Sequence, residues 1–180
     1  GTTPGGRSKR PREAGTLERI GLLVKDHSAH GIRTRPGHFS LAGAQPKTPL
    51  HYDPKGERWG GPSGNIPTTQ IIKPSPGDFD GYAENEHFCM TLARKLGLSA
   101  ASSIIRHFGD VPAIIVERYD RLRSGTKVLR IHPEDMCQAL ARMPHMKYQN
   151  QGGPSAPEIM QPIRQHSSAR ETDVQRFLDA

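Results

Sequence analysis

The sequence has few cysteines, few aromatic residues and no long apolar run, and each of these shortages excludes a class of protein. It has 2 cysteines in 180 residues, too few for a disulfide framework or for a zinc site made of cysteine alone. Hydrophobic residues make up 33% and aromatic residues 6%, so a loop-rich fold with a modest core is expected. No apolar run reaches the length of a membrane span, and the first residues lack the apolar core of a signal peptide. We therefore expect a cytoplasmic protein in which Cys89 and Cys137 are buried free thiols.

Basic residues are in excess, with a formal net charge of +7 and a pI of about 9.7. This excess permits binding to phosphates, to nucleic acid or to an acidic partner. Part of it lies in residues 1–15, which are rich in glycine, proline and basic residues and which we interpret as a disordered, solvated arm. The scarcity of aromatic residues makes a nucleic-acid-binding protein the least favoured function.

The hydrophobic pattern predicts a small antiparallel sheet with one helix packed on it. Two apolar runs flank residues 109–112, Gly-Asp-Val-Pro, which is a hairpin signal. A helix that ends near Gly97 is predicted to pack through one apolar face. That face consists of Phe88, Cys89, Leu92, Ala93 and Leu96. From Pro133 onward the pattern becomes helical.

Three segments carry the chemistry of a phosphate-binding site. The first is a loop of small residues at 42–45 that ends near Lys47, and such loops let backbone N–H groups approach phosphate. The second is an apolar strand that ends at Lys73, whose ammonium group could contact phosphate oxygens. The third is the apolar strand Ile114–Glu117, followed by Arg118–Arg121. In that order, these are the parts with which a kinase-type site holds ATP.

Five blocks in this order resemble the HipA serine/threonine kinases, the toxin components of bacterial type II toxin–antitoxin modules. The blocks are Ser40–Lys47, Pro67–Pro74, Asn85-Glu86, Val116–Arg121 and Glu134–Gln138. The resemblance runs from about His38 to the C-terminus. It implies an α+β fold, namely a kinase-like N-lobe (an antiparallel sheet with one packed helix) followed by the first helices of an incomplete helical lobe.

The resemblance also implies a division of the chain. Residues 1–15 would be the basic arm and 16–37 the remnant of an N-terminal subdomain or a linker. Residues 38–125 would form the ATP-binding lobe and 126–180 the start of the helical lobe.

The resemblance assigns roles to individual residues. Glu86, at the start of the helix, is the expected partner of Lys73. Ser40 is the expected autophosphorylation site, where added negative charge would repel a bound nucleotide. The residues expected to bind ATP are Ala42, Gly43, Ala44, Gln45, Lys47, Lys73, Glu117, Tyr119 and Gln138.

Several of these residues also have a plain structural interpretation. The loop with Gly43 could be a tight turn, and Lys47 an exposed strand residue. Glu86 could stabilise the helix dipole. Gln138 could be a helix surface residue, and Ser40 a turn hydroxyl.

The family's catalytic Asp-x-x-x-x-Asn loop and its later aspartate are expected downstream of Ala180. We therefore assign no catalytic residue and no metal ligand within the chain, although ATP and Mg²⁺ are the expected cofactors. The expected partners are a HipB-type antitoxin and a protein substrate, an aminoacyl-tRNA synthetase in the family. DNA would be reached only through the antitoxin. The alternative function is a non-catalytic fragment that binds nucleotide or antitoxin.

Overall fold

The computed structural model describes residues 21–22, 45, 47–61, 66–75, 80–125 and 127–180. They form two compact units. The first comprises the described residues up to Leu92 together with Ala101–Leu129, and the second comprises Ala93–Ala100 and Arg130–Ala180. The predicted arm, most of residues 16–37 and the loop positions Ser40, Ala42, Gly43 and Ala44 lie outside the described residues.

Five antiparallel strands form the sheet of the first unit, which is curled into a half-barrel. The strands are β1 Thr48–Asp53, β2 Arg58–Gly60, β3 Gln70–Pro74, β4 Ser103–Phe108 and β5 Val111–Glu117. Their order across the sheet is β2-β1-β3-β5-β4. A separate two-stranded ribbon is made of β6 Arg121–Ser124 and β7 Lys127–Arg130. The predicted hairpin around residues 109–112 is confirmed, because β4 and β5 pair from Ser103↔Val116 to Phe108↔Val111.

The helices complete the α+β fold that the sequence predicts. They are α1 Tyr82–Lys95, α2 Met136–Ala139, α3 Ala156–His166 and α4 Arg170–Asp179, with a short 3₁₀ turn at Gln149–Gln151. Helix α1 ends at Lys95, shortly before Gly97 as predicted, and the Gly97 φ of 89° is in the left-handed region that glycine tolerates. Among the residues that the structure describes, no helix has the length and apolar character needed to cross a bilayer.

Apolar clusters cover both faces of the sheet. Strand β5 contributes side chains to the clusters on both faces, because successive side chains of a strand point to opposite faces. Ile115 faces the larger cluster, and Ile114 faces the smaller cluster beneath α1. The larger cluster contains Leu50, Trp59, Ile72, Phe108, Ala113 and Ile115. The smaller one contains Ala83, Ile114 and Val116, with Met90 and Ala101 packed against it.

The predicted apolar face of α1 is wrong, because Phe88 and Leu96 are 64% and 71% exposed. The side of α1 that contacts the sheet carries Ala83, Glu86, His87 and Met90 instead, at the spacing of one helix face. Ala83 has no exposed surface, so its methyl group allows the helix to approach the sheet closely. On this side Glu86 pairs with a lysine of the sheet, and His87 with Ser103. These two polar contacts, rather than the number of apolar residues on each side of the helix, set its rotation.

The prediction for the cysteines is confirmed in part. Cys137 is buried, and its Sγ lies 3.6 Å from the carbonyl oxygen of Met146. Cys89 is exposed on α1, so the prediction that it is buried is wrong. The reason is the rotation of α1 described above, which turns the Phe88 side of the helix away from the sheet.

Candidate nucleotide-binding site

Lys73 lies on β3 directly opposite Ile114 of β5. Directly paired residues share a sheet face, so the lysine projects toward α1 rather than toward the larger cluster. There its ammonium group forms an ion pair with Glu86 Oε1. The two side chains are 22% and 24% exposed, which leaves the pair accessible to a ligand at the edge of the core. The pairing predicted for Glu86 is therefore present.

Two further residues of the predicted site lie near Lys73. Thr48 pairs with Ile72, so the next step along β1 and β3 brings Lys47 opposite Lys73. The side chain of Gln45 donates a long hydrogen bond of 3.5 Å to the carbonyl oxygen of Pro74. This end of the sheet thus combines two lysines, one carboxylate and one amide. Ammonium and amide N–H groups of this kind are donors that can bind phosphate oxygens.

Glu117 is the last residue of β5, and Tyr119 lies two residues beyond it. Glu117 pairs with Gln70, three residues before Lys73, which corresponds to roughly 10 Å along the strands. By strand alternation the side chains of Glu117 and Lys73 point to opposite faces of the sheet. Both predicted residues are exposed, Tyr119 to 78%. A ligand that contacts Lys73 would therefore meet residues 117–119 mainly through their backbone.

A buried ionic network holds the chain that follows β5. Arg118 donates to both carboxylate oxygens of Asp120, at 2.9 and 2.7 Å, and to Thr68 Oγ1 at 3.1 Å. Arg121 donates to Asp120 Oδ2 at 2.8 Å and to the Thr68 carbonyl oxygen at 2.9 Å. The three charged side chains are 11%, 7% and 10% exposed, in the order Arg118, Asp120, Arg121. Hydrogen bonds from Arg118, with the charges of both arginines, lower the pKa of Asp120 below its ordinary value, against an opposing effect of burial.

Sequence reasoning missed this network, although it quoted the block that contains it. The signal available was the alternation of Glu117 and Tyr119 with Arg118 and Asp120, which predicts opposite orientations for the two pairs. Nothing in the spacing indicates that Thr68, fifty residues earlier than Arg118, would be the partner.

Gln138 lies on α2 in the second unit and is exposed. Its side chain accepts a hydrogen bond from the Asp135 N–H at 3.0 Å, while its own N–H donates to Asp135 Oδ1 at 2.8 Å. This reciprocal pair is a capping box, which satisfies two N–H groups at the helix start. The structure thus gives Gln138 a local role, and its predicted contact with a nucleotide stays a prediction.

No group of acidic, histidine or cysteine side chains in the described ranges could hold a metal ion. The position of the Mg²⁺ ligands stays a prediction. An Asp-x-x-x-x-Asn spacing does occur once, from Asp80 to Asn85. It lies at the start of α1, where Asn85 Oδ1 is 4.0 Å from Cys89 Sγ, and not in a loop beside Lys73.

Comparison with known proteins gives the family of the chain and the class of its fold. Residues 39–180 match the family described as HipA-like C-terminal domain. A solved HipA of Shewanella oneidensis MR-1, in complex with HipB and its operator DNA, superposes with a TM-score of 0.61 at 30% identity. That match covers 86% of this chain and 36% of the other.

Two curated relatives support the same family. The "Putative kinase Y4mE" of Sinorhizobium fredii is 44% identical over 143 residues, which is 79% of this chain and 34% of the relative. The serine/threonine-protein kinase toxin HipA of Shewanella oneidensis is 38% identical over 120 residues, 64% of this chain and 26% of that protein. The chain therefore belongs to the HipA-like kinase toxin family. It spans about a third or less of the length of these relatives.

Proposed function

We propose that the chain is the ATP-binding part of a HipA-like protein serine/threonine kinase. The observation that carries the proposal is the Lys73–Glu86 ion pair between a central strand and α1, with Lys47 at the neighbouring register position. In protein kinases a strand lysine paired with a helix glutamate contacts nucleotide phosphates. Family membership supports the same role.

Each part of the site has a distinct task in this proposal. Lys73, oriented by Glu86, and Lys47 bind and neutralise the phosphates. Gln45 and the loop that precedes it cover them, while the backbone at Glu117 and Tyr119 binds the adenine ring. When bound, ATP supplies the phosphoryl group that is transferred to a protein hydroxyl. Phosphate added at Ser40 would disfavour ATP by charge repulsion.

The partners of the whole kinase are proposed from its relatives. The Shewanella HipA structure contains HipB and operator DNA, which supports an antitoxin of the HipB type and contact with DNA through it. An aminoacyl-tRNA synthetase is the proposed protein substrate, by family resemblance alone. The alternative is a fragment that binds nucleotide or antitoxin without catalysis. Incubation of such a synthetase and labelled ATP with a longer protein, in which this chain is followed by the expected catalytic loop, separates the two, because only a kinase transfers label.

The direct test is ATP binding by the Lys73→Ala variant, measured by titration calorimetry. A hydrogen bond to a charged group is worth about 1.5–3 kcal/mol, so we expect affinity to fall by about 10- to 100-fold. Lys55→Ala is the matched control, because Lys55 is an exposed lysine in the turn between β1 and β2. It should bind ATP as the wild type does. Wild-type affinity in Lys73→Ala would contradict the proposal.

A loss of binding through unfolding must be separated from a loss of contact. Without Lys73, the carboxylate of Glu86 stays partly buried and unpaired, which destabilises the helix contact. The double variant Lys73→Ala/Glu86→Ala removes that charge as well. If it recovers the thermal stability of the wild type but not its ATP affinity, the affinity was lost through the missing lysine.

A further inference from the structure

The segment after β5 is fixed more firmly than a surface connection requires. Six hydrogen bonds join Arg118, Asp120, Arg121 and Thr68, counting the bond from Arg121 to the Asp120 carbonyl oxygen. Three nearly buried charges are costly to desolvate, and apolar residues of similar size often stabilise a fold as well. Each hydrogen bond restrains an angle as well as a distance, so the network fixes the direction of the backbone. Apolar packing does not do this.

The network acts on the residues that alternate with it. Arg118 and Asp120 point inward, whereas Glu117 and Tyr119 are exposed, and Tyr119 lies between these two anchored neighbours. The backbone is held as well, since the Glu117 N–H donates to the Ser102 carbonyl and the Arg118 N–H to the Thr69 carbonyl, at 2.8 and 3.0 Å. Tyr119 is thus a large side chain held in solvent on a rigid backbone.

The network also connects the two ends of the candidate site. Arg118 and Arg121 both bind Thr68, and the chain runs directly from Thr68 through β3 to Lys73. The position of residues 117–119 is therefore fixed relative to the lysine by a short, hydrogen-bonded path. A ligand that is recognised at both ends needs this distance to be constant.

We propose that Arg118, Asp120 and Arg121 are positioning residues, which hold the backbone at Glu117–Tyr119 for selection of the adenine base. The inference rests on the proposed ATP-binding function and goes beyond it, because it assigns base selectivity to side chains that act only through the backbone they hold. Lys73 then supplies affinity for the triphosphate, whatever base is attached.

The test compares the affinities of ATP, GTP and inorganic triphosphate for Arg118→Lys. Lysine keeps the positive charge beside Asp120 but cannot make the forked contact and reach Thr68 as well. We expect the ratio of ATP to GTP affinity to fall at least threefold, with triphosphate affinity unchanged. Arg58→Lys is the matched control, because the Arg58–Asp53 pair of 3.4 Å is exposed and lies on β1 and β2. It should leave all three affinities unchanged.

Each other outcome overturns the inference. An unchanged ATP to GTP ratio means that the network does not set base selection. An equal loss for all three ligands means that Arg118 only supports the fold. If the wild type binds ATP and GTP equally well, there is no base selectivity for the network to support. If the wild type binds no nucleotide, or Lys73→Ala binds ATP normally, the proposed function fails first. Should Arg118→Lys not fold, Thr68→Val removes one hydrogen bond of the network and carries the same expectations.

Discussion

Replacing Phe88 by alanine tests how α1 packs on the sheet. Complete burial of a large apolar side chain contributes about 1.5–3 kcal/mol. Phe88 is 64% exposed, so about a third of that contribution is at stake, which gives a cost of about 0.5–1 kcal/mol. Ile114, in the cluster beneath α1, has no exposed surface, and Ile114→Ala should cost about 2–5 kcal/mol.

Urea unfolding measures this difference, and the protein carries its own probe. Trp59 is the single tryptophan, and it is buried in the larger cluster of the same sheet. With a denaturant slope of about 2 kcal/mol per molar urea, Phe88→Ala should lower the midpoint by about 0.25–0.5 M. Ile114→Ala should lower it by about 1–2.5 M.

The refuting result is an equal shift in the two variants, since it would mean that Phe88 is buried in the folded chain. The apolar helix face that the sequence pattern predicts would then be correct. If Ile114→Ala does not fold, Ile114→Val provides the comparison, at an expected cost of about 0.5–1.5 kcal/mol. A Phe88→Ala cost of about 0.5–1 kcal/mol, rather than the about 3–5 kcal/mol of a buried phenylalanine, would then support the observed orientation.

Two further predictions concern polar contacts. The pKa of Asp120 is lowered in the folded state by Arg118 and Arg121, so its stabilisation is complete above the unfolded pKa near 4 and is lost as pH falls through the folded pKa. The difference in urea midpoint between wild type and Asp120→Asn should therefore be larger at pH 7 than at pH 3, and an equal difference would contradict this. At α2, Gln138→Ala should cost about 0.5–1 kcal/mol through loss of the capping box. Gln138→Glu keeps an acceptor for the Asp135 N–H, so thermal unfolding should show no loss.

The strands and their connections could be predicted because their signals are local. Gly109, with a φ of 64°, sits in the turn between β4 and β5 that the residue types around it indicate. The Lys73–Glu86 pair was also within reach, since the order of strand, lysine and helix glutamate is itself the pattern. For both, the deciding residues are neighbours in sequence or belong to consecutive recognisable blocks.

The rotation of α1 and the arginine network could not be predicted in the same way. Apolar spacing marked Phe88 as buried, but the helix is turned by what lies across from it, Lys73 and Ser103, on other strands. The network likewise depends on Thr68 meeting Arg118 across fifty residues. Hydrophobic periodicity describes one helix at a time, whereas these orientations depend on polar partners elsewhere in the chain.

The exposed thiol of Cys89 has a practical consequence for following the protein in solution. Of the chain's two thiols, that of Cys137 is buried and that of Cys89 faces solvent. A maleimide dye should therefore attach at one position without any prior mutation. That position is one helical turn from Glu86, on the helix whose attachment to the sheet includes the ion pair with Lys73. Energy transfer from Trp59 to such a dye would therefore measure whether the distance between α1 and the sheet changes when ligand is added.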